Sequence, residues 1–295
     1  YLQAERASSL AHSLPCTRSE LYMSHSAAGL MLSSVPVLFT GLLLLALQTM
    51  SFLGEYFSLA DVLKWAGITL LFNLLLFCST VFVGMFTGNS IAHIVFTYIL
   101  HILPAGLYTL VGYNLEKLLL GYPGSMVSTS FIDNLPIILL ISDFSEGRIP
   151  PGHAAAYAAA SILLFAAALY VYKLRNAEAA GDLIAFPAVK PIFKYGVTAC
   201  CMLVGGAYFA SVSRGSIPFI LAGYVFSSFL GYMISEMLIQ KSFRVWKTYK
   251  GYLAYTAVML IVFAGISADL TGYVHRVPDP GQVERVYFGY SSQDW

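Results

Sequence analysis

Two histidines are the residues of this chain best suited to proton or ligand chemistry. His93 and His101 lie eight residues apart in an apolar stretch, so at 3.6 residues per turn they share one face of a helix. An ionisable group inside a membrane segment is a functional hypothesis by default, and the pair suits a proton relay or a ligand contact. Hydrogen bonds from both rings to a neighbouring helix would explain the same residues. The sequence leaves both interpretations open.

Other catalytic and metal-binding patterns are missing from the sequence. It contains no Gly-x-x-x-x-Gly-Lys-Ser/Thr loop and no His-Glu-x-x-His, Cys-x-x-Cys or Gly-x-Ser-x-Gly pattern. Cys200 and Cys201 are sequence neighbours, so on a helix their side chains point about 100° apart, a poor geometry for one metal ion. We therefore predict a protein that is not an enzyme and that itself binds no metal or cofactor.

The composition places these residues in a membrane. Hydrophobic residues make up 58% of the chain and charged residues 11%, with a mean hydropathy of +0.73. A soluble domain with this composition would lack the polar surface that it needs. Seven stretches are long and apolar enough to span a bilayer. They cover residues 28–50, 63–86, 91–113, 154–172, 195–213, 217–235 and 252–268. The predicted fold class is an all-α polytopic transmembrane bundle of about seven spans.

The distribution of charge orients these spans. With the N-terminal segment in the cytoplasm, the inner segments hold 10 Lys and Arg residues and the outer segments hold 6, which is the bias of the positive-inside rule. No basic run resembles a nucleic-acid-binding patch. The predicted domains are a cytoplasmic segment (1–27), a four-span block (28–173), a cytoplasmic loop (174–194), a three-span block (195–268) and the start of a truncated extracellular domain (269–295).

The predicted outer segment 114–151 contains an apolar run at 135–141 that is too short to cross a bilayer. Such a run is typical of a re-entrant segment. Asp133 and Asp143 flank the run and would lie at the outer mouth of a transport pathway. We predict that this pathway includes the two acids and the two histidines.

The N-terminal segment combines a short amphipathic stretch with a break at Pro15. A second helix is predicted to begin near Arg18 and Glu20 and to enter the membrane. A rigid polar element of this kind beside a membrane suits docking onto a cytoplasmic partner. A helix that simply rests in the interface is the alternative.

The order Glu5-Arg6, an apolar run and Leu14-Pro15-x-Thr17-Arg18 before a helix resembles the segment after the second transmembrane helix of type-2 ABC exporter permeases. The resemblance implies a coupling helix that contacts a separate ABC ATPase subunit, which would bind the ATP. Carried over by position, the coupling residues are Glu5, Arg6, Pro15, Thr17 and Arg18. A second permease subunit, identical or different, would complete the complex.

The second block of spans resembles a Gram-positive subgroup of these permeases with added spans and a C-terminal extracellular domain. We therefore expect a fragment, truncated at both ends, of a multi-pass permease from a bacterial cytoplasmic membrane that moves an unassigned substrate. Two alternatives remain: a membrane sensor or assembly protein that displays the extracellular domain, and an ion-coupled carrier that uses the two histidines.

A basic stretch follows Glu236 and carries Lys241, Arg244 and Lys247 at every third position, with aromatic residues between them. This spacing suits a helix that rests on anionic lipid headgroups, and a second ATPase contact is the alternative. Glu236 itself is expected near the cytoplasmic interface rather than at the membrane midplane.

Overall fold

Helices form the described part of the structure. The computed structural model describes residues 2–13, 15–50, 56–119, 122, 129–142, 151–176, 179–213, 216–267, 269–270, 272–273 and 281, and these residues include no strand. Their helices are α1 (Glu5–Ser13), α2 (Arg18–Met50), α3 (Leu59–Phe86), α4 (Ser90–Leu118), α5 (Thr129–Asp133), α6 (Pro136–Ser142), α7 (Pro151–Leu174), α8 (Val189–Val212), α9 (Ile217–Gln240) and α10 (Tyr249–Ser267).

Seven of these helices are long and apolar enough to cross a bilayer, counted over the described residues: α2, α3, α4, α7, α8, α9 and α10. They contain between 19 and 33 residues. At 1.5 Å per residue the shortest of them reaches about 28 Å and the others exceed 30 Å, close to or beyond the thickness of the hydrocarbon core, about 30 Å. The predicted all-α, multi-pass membrane bundle is therefore confirmed.

Helix α2 begins at Arg18, as predicted, ten residues before the apolar span, and a capping box explains why. The backbone N–H of Thr17 donates to Glu20 Oε2 at 2.8 Å, and the backbone N–H of Glu20 donates to Thr17 Oγ1 at 3.3 Å. These reciprocal bonds satisfy N–H groups that have no partner within the helix. The break at Pro15 between α1 and α2 agrees with the sequence prediction.

The apolar run of the predicted outer segment forms α6, whose 7 residues reach only about 10 Å. Leu139 is buried against Phe72 and Tyr157, and the Tyr157 hydroxyl donates to the carbonyl oxygen of Asn134 at 2.8 Å. The run therefore packs on α3 and α7 without spanning. Asp143 lies outside the described residues, and the re-entrant path stays a prediction.

The predicted basic helix after Glu236 is wrong. Helix α9 ends at Gln240 because Lys241 adopts a left-handed backbone with φ of 51°, which stops helical hydrogen bonding. A turn and a single 3-10 turn, Trp246–Thr248, then lead into α10. Lys241, Arg244 and Lys247 are thus residues of a connection between helices, not of one helix face.

The chain divides into two compact units. Unit 1 comprises Tyr1–Ile102 and Asp133–Pro187, and unit 2 comprises Leu103–Ile132 and Ala188–Trp295. In unit 1, α2, α3 and α7 pack together around a buried cluster that includes Tyr22.

Unit 2 is built on the antiparallel hairpin of α8 and α9. A Cβ atom at Gly206 would overlap the Tyr224 ring, so the close approach of these two helices requires glycine there. The Tyr224 hydroxyl donates to Asn114 Oδ1 at 2.6 Å, and Asn114 Nδ2 donates to the carbonyl oxygen of Leu203 at 3.2 Å. These bonds join the second half of α4 to the hairpin.

Candidate functional site

Arg18 caps the C-terminal end of α7. Its Nη1 donates to the carbonyl oxygens of Tyr172 at 3.4 Å, Lys173 at 3.2 Å and Arg175 at 2.7 Å. The last carbonyls of a helix have no partner within that helix, and they form the negative end of its dipole. A guanidinium is well suited to them because it carries several donors and a positive charge. The first turn of α2 is thereby attached to the last turn of α7.

Arg175 caps the C-terminal end of α3 and also binds the N-terminal segment. The residue is only 4% exposed. Its Nη1 donates to the carbonyl oxygens of Gly84 at 2.8 Å and Met85 at 3.0 Å, and its Nη2 donates to that of Leu2 at 3.0 Å. A buried cation is stable only when it is hydrogen-bonded. The sequence shows Arg175 only as one charge in the predicted cytoplasmic loop 174–194, whereas the structure places it between three segments.

His93 joins the N-terminal segment to α3. Its Nε2 lies 2.8 Å from the carbonyl oxygen of Thr80, and its Nδ1 lies 2.7 Å from Gln3 Nε2. A carbonyl only accepts, so Nε2 carries the proton and Nδ1 accepts from the Gln3 amide. One neutral tautomer satisfies both contacts. His93 belongs to the first turn of α4, close to the end of the bundle of unit 1.

His101 lies two turns further along α4 and also contacts α3. Its Nδ1 is 2.7 Å from the carbonyl oxygen of Thr97, and its Nε2 is 3.0 Å from Ser79 Oγ. Both histidines therefore make the hydrogen bonds to a neighbouring helix that the sequence allowed. A role for either histidine in a pathway stays a prediction.

The α3–α4 turn pairs with the connection between α7 and α8. The Gly88 N–H donates to the carbonyl oxygen of Asp182 at 3.0 Å, the Gly181 N–H to that of Gly88 at 2.6 Å, and the Ala185 N–H to that of Phe86 at 2.7 Å. A Cβ atom on Gly88 would overlap a carbonyl oxygen of the connection. The N-terminal segment, this turn and this connection thus lie at one end of unit 1, and their assignment to the cytoplasm stays a prediction.

Helix α1 has one buried side and one exposed side. Ser8 is buried, while Arg6 and Ser13 are exposed and Leu10 is 70% exposed. The exposed positions recur at helical spacing, so they form one outward face. We call the segment from Leu2 to Arg18, with this face, the N-terminal element.

The structure places the predicted coupling residues in different roles. Arg6 lies on the outward face of α1, Pro15 and Thr17 are exposed in the turn before α2, and Arg18 caps α7. The side chain of Glu5 lies outside the described residues. Arg18 is bonded to the end of another spanning helix, α7, through its guanidinium.

A cavity of about 280 Å³ lies beside the N-terminal element. Leu2 and Gln3 line it on one side, and His25, Phe77 and His93 line it on the others. This space therefore separates the first residues of the element from part of the bundle of unit 1.

Two acids are predicted for the same pathway, Asp133 and Asp143. Asp133 is exposed at the end of α5, and Asp143 falls outside the described residues. Within the described ranges, no three His, Cys, Asp or Glu side chains are grouped closely enough to hold a metal ion.

Unit 2 contains an ion pair between the buried Glu236 and the half-buried Lys194, which the sequence does not predict. Lys194 Nζ lies 2.8 Å from Glu236 Oε1, and their side chains are 18% and 7% exposed. Gln240 Nε2 donates to Glu236 Oε2 at 2.9 Å, and Tyr232 lies against the Lys194 ammonium. Glu236 is near the end of α9, as expected, but its carboxylate is buried. The pair fixes one end of the α8–α9 hairpin.

Comparisons of the chain with protein-family models, curated proteins and solved structures give no match. The resemblance to ABC permeases seen in the sequence therefore stays a prediction.

Proposed function

We propose that this chain is a permease subunit of an ABC transport complex in a bacterial cytoplasmic membrane. A separate ATPase subunit hydrolyses ATP, and the N-terminal element transmits its movement to the spanning helices. The observation that carries the proposal is the pair of arginines that attach this element to the ends of α3 and α7.

A coupling element needs a firm attachment to the helices that must move. Arg18 and Arg175 supply it through six hydrogen bonds from guanidinium groups to carbonyl oxygens. Bonds from a charged donor are about twice as strong as neutral ones. A displacement of the element therefore acts on the ends of two spanning helices at once, because one arginine holds each.

A coupling element also needs a face that a partner can contact. The outward face of α1 offers Leu10, 70% exposed, beside the cation of Arg6. A helix that merely rests in the interface usually has several bulky apolar residues on one side. Helix α1 has only Leu10 of this kind in its sequence Glu-Arg-Ala-Ser-Ser-Leu-Ala-His-Ser, which favours a protein partner over the membrane.

The test combines cross-linking with activity. A photoreactive amino acid at position 10, introduced in the native host, is expected to cross-link to a protein that contains an ABC ATPase domain. The same probe at Ala11, which is half-buried on the inward side of α1, serves as the matched control and is expected to give little of this product.

A substitution of Leu10 on the outward face of α1 tests the effect on activity. Leu10→Glu should abolish co-purification of the ATPase and the ATPase activity of the complex in nanodiscs. Leu59→Glu, at a leucine 54% exposed at the start of α3, should leave both unchanged. Cross-links to lipid alone, or a Leu10→Glu complex with unchanged association and activity, would contradict the proposal.

A further inference from the structure

The connection between α9 and α10, residues 241–248, has a position that is fixed by its neighbours. Both helices are candidate spans, and only eight residues separate Gln240 from Tyr249. Non-helical backbone is not tolerated against lipid in the hydrocarbon region because its polar groups would lack partners. The connection therefore lies at the membrane surface, at the depth of the headgroups, whichever face of the membrane it occupies.

The connection is held in one shape by a buried anchor. Val245 is fully buried and packs with Tyr232 and Met233. The backbone N–H of Thr248 donates to the carbonyl oxygen of Val245 at 3.0 Å, and the Tyr232 hydroxyl donates to that of Thr248 at 2.9 Å. The side chains on either side of Val245 are thus presented by an ordered backbone.

The side chains that the connection presents match the chemistry of an anionic bilayer surface. Phe243 is 85% exposed and Trp246 is 69% exposed, and aromatic rings are favoured at the boundary between headgroups and acyl chains. Lys241, Arg244 and Lys247 are exposed beside them. Cations at this depth are attracted to phosphate groups and to the negative potential of anionic lipids.

The backbone of Lys241 is a separate observation that favours a functional role for the connection. It stands at the left-handed position that ends α9, with φ of 51°, where glycine or asparagine is the usual residue. A residue held in an unfavourable backbone region is often found at a functional site. The cation of Lys241 is thus carried by a backbone conformation that glycine or asparagine would adopt at lower cost.

From these observations we propose that residues 241–248 form a binding site for anionic phospholipid headgroups. Lys241, Arg244 and Lys247 contact the phosphates, while Phe243 and Trp246 insert at the base of the headgroups. The partner is the bilayer in which the chain itself is embedded. The site does not depend on the proposed transport function, because it requires only that α9 and α10 span the membrane.

The test uses Trp246 as a local probe. In a Trp65→Phe/Trp295→Phe background, Trp246 is the one remaining tryptophan of the three. The purified chain is placed in nanodiscs of phosphatidylcholine and phosphatidylglycerol, with brominated acyl chains on one lipid at a time. Bromine quenches a neighbouring indole, so we expect stronger quenching by brominated phosphatidylglycerol than by brominated phosphatidylcholine at equal mole fraction.

Three variants test the cations separately from the fold. Lys241→Asn keeps a residue that tolerates the left-handed backbone, and Arg244→Gln and Lys247→Gln change exposed side chains. Each is expected to lower the apparent affinity for phosphatidylglycerol, read from quenching against its mole fraction, about fivefold. High salt should lower it as well. Lys64→Gln, at an exposed lysine near the start of α3, should leave the affinity unchanged.

Equal quenching by the two brominated lipids would overturn the proposal, as would a preference that survives all three neutral substitutions. An indole that neither lipid quenches, and that becomes shielded only when an ATPase subunit is added, would assign the connection to a protein partner instead.

Discussion

Replacing Arg175 with methionine tests the attachment of the N-terminal element most directly. Methionine fills a similar volume but donates no hydrogen bond, so the carbonyl oxygens of Gly84, Met85 and Leu2 lose their shared partner. A hydrogen bond to a charged group contributes about 1.5 to 3 kcal/mol. Because the three bonds share one side chain, we expect the free energy of unfolding to fall by about 3 to 5 kcal/mol rather than by their full sum.

Thermal unfolding of the detergent-solubilised chain measures this loss. For a protein of this size a change of 3 to 5 kcal/mol corresponds to a fall in Tm of about 5 to 8 °C. Hydrogen exchange adds a local measure, because residues 2–13 are held by Arg175 through the carbonyl oxygen of Leu2. The amides of this peptide should exchange faster in Arg175→Met.

Two variants serve as controls. Arg175→Lys keeps the charge but presents its donors from a single nitrogen, so it should retain only part of the stability. Arg18→Met removes an exposed guanidinium, and solvent can replace its bonds, so Tm should fall by only a few degrees. The reasoning is refuted if Arg175→Met and Arg18→Met have the same Tm and exchange in residues 2–13 is unchanged.

Three further substitutions test other contacts. Gly88→Ala should lower the free energy of unfolding by about 1 to 3 kcal/mol through overlap with the paired connection, whereas Gly67→Ala, whose Cβ meets no atom within 4 Å, should not lower Tm. Glu236→Leu should destabilise by about 3 kcal/mol because it leaves Lys194 buried without its carboxylate, and a Lys194→Met/Glu236→Leu double variant should recover most of that loss in the same melt. Tyr224→Phe should lower the free energy of unfolding by about 1 kcal/mol, because the buried side-chain amide of Asn114 loses the hydroxyl that donates to its Oδ1. An unchanged Tm would show that this bond contributes nothing.

The helical elements follow from local features of the sequence. Apolar stretches of spanning length predict the seven long helices, and the break at Pro15 predicts the separation of α1 from α2. The early start of α2 has a local signal as well, because Thr17-Arg18-Ser19-Glu20 fits the capping-box pattern. The predicted start near Arg18 and Glu20 therefore agrees with α2, which begins at Arg18.

The contacts that Arg18 and Lys194 make with distant residues have no comparable local signal in the sequence. Arg18 meets a carbonyl 157 positions away, and Lys194 meets Glu236 across 42 positions. Periodicity describes which face a residue lies on, but not which distant segment that face meets. The basic helix failed for a related reason: a three-residue spacing of cations does not determine the backbone of Lys241, whose left-handed conformation ends α9.

The capping of α7 by Arg18 has a consequence for how the protein is made. Arg18 belongs to the first spanning helix of the sequence, yet its acceptors include the carbonyl of Arg175, 157 residues later. At about 5 to 20 residues per second, the ribosome needs roughly 8 to 30 s to cover that distance. During this interval α2, α3 and α4 are synthesised in turn, while the arginine that holds Leu2 does not yet exist. The element can reach its native position only after α7 has entered the membrane, so its docking reports that the helices of unit 1 have all been inserted.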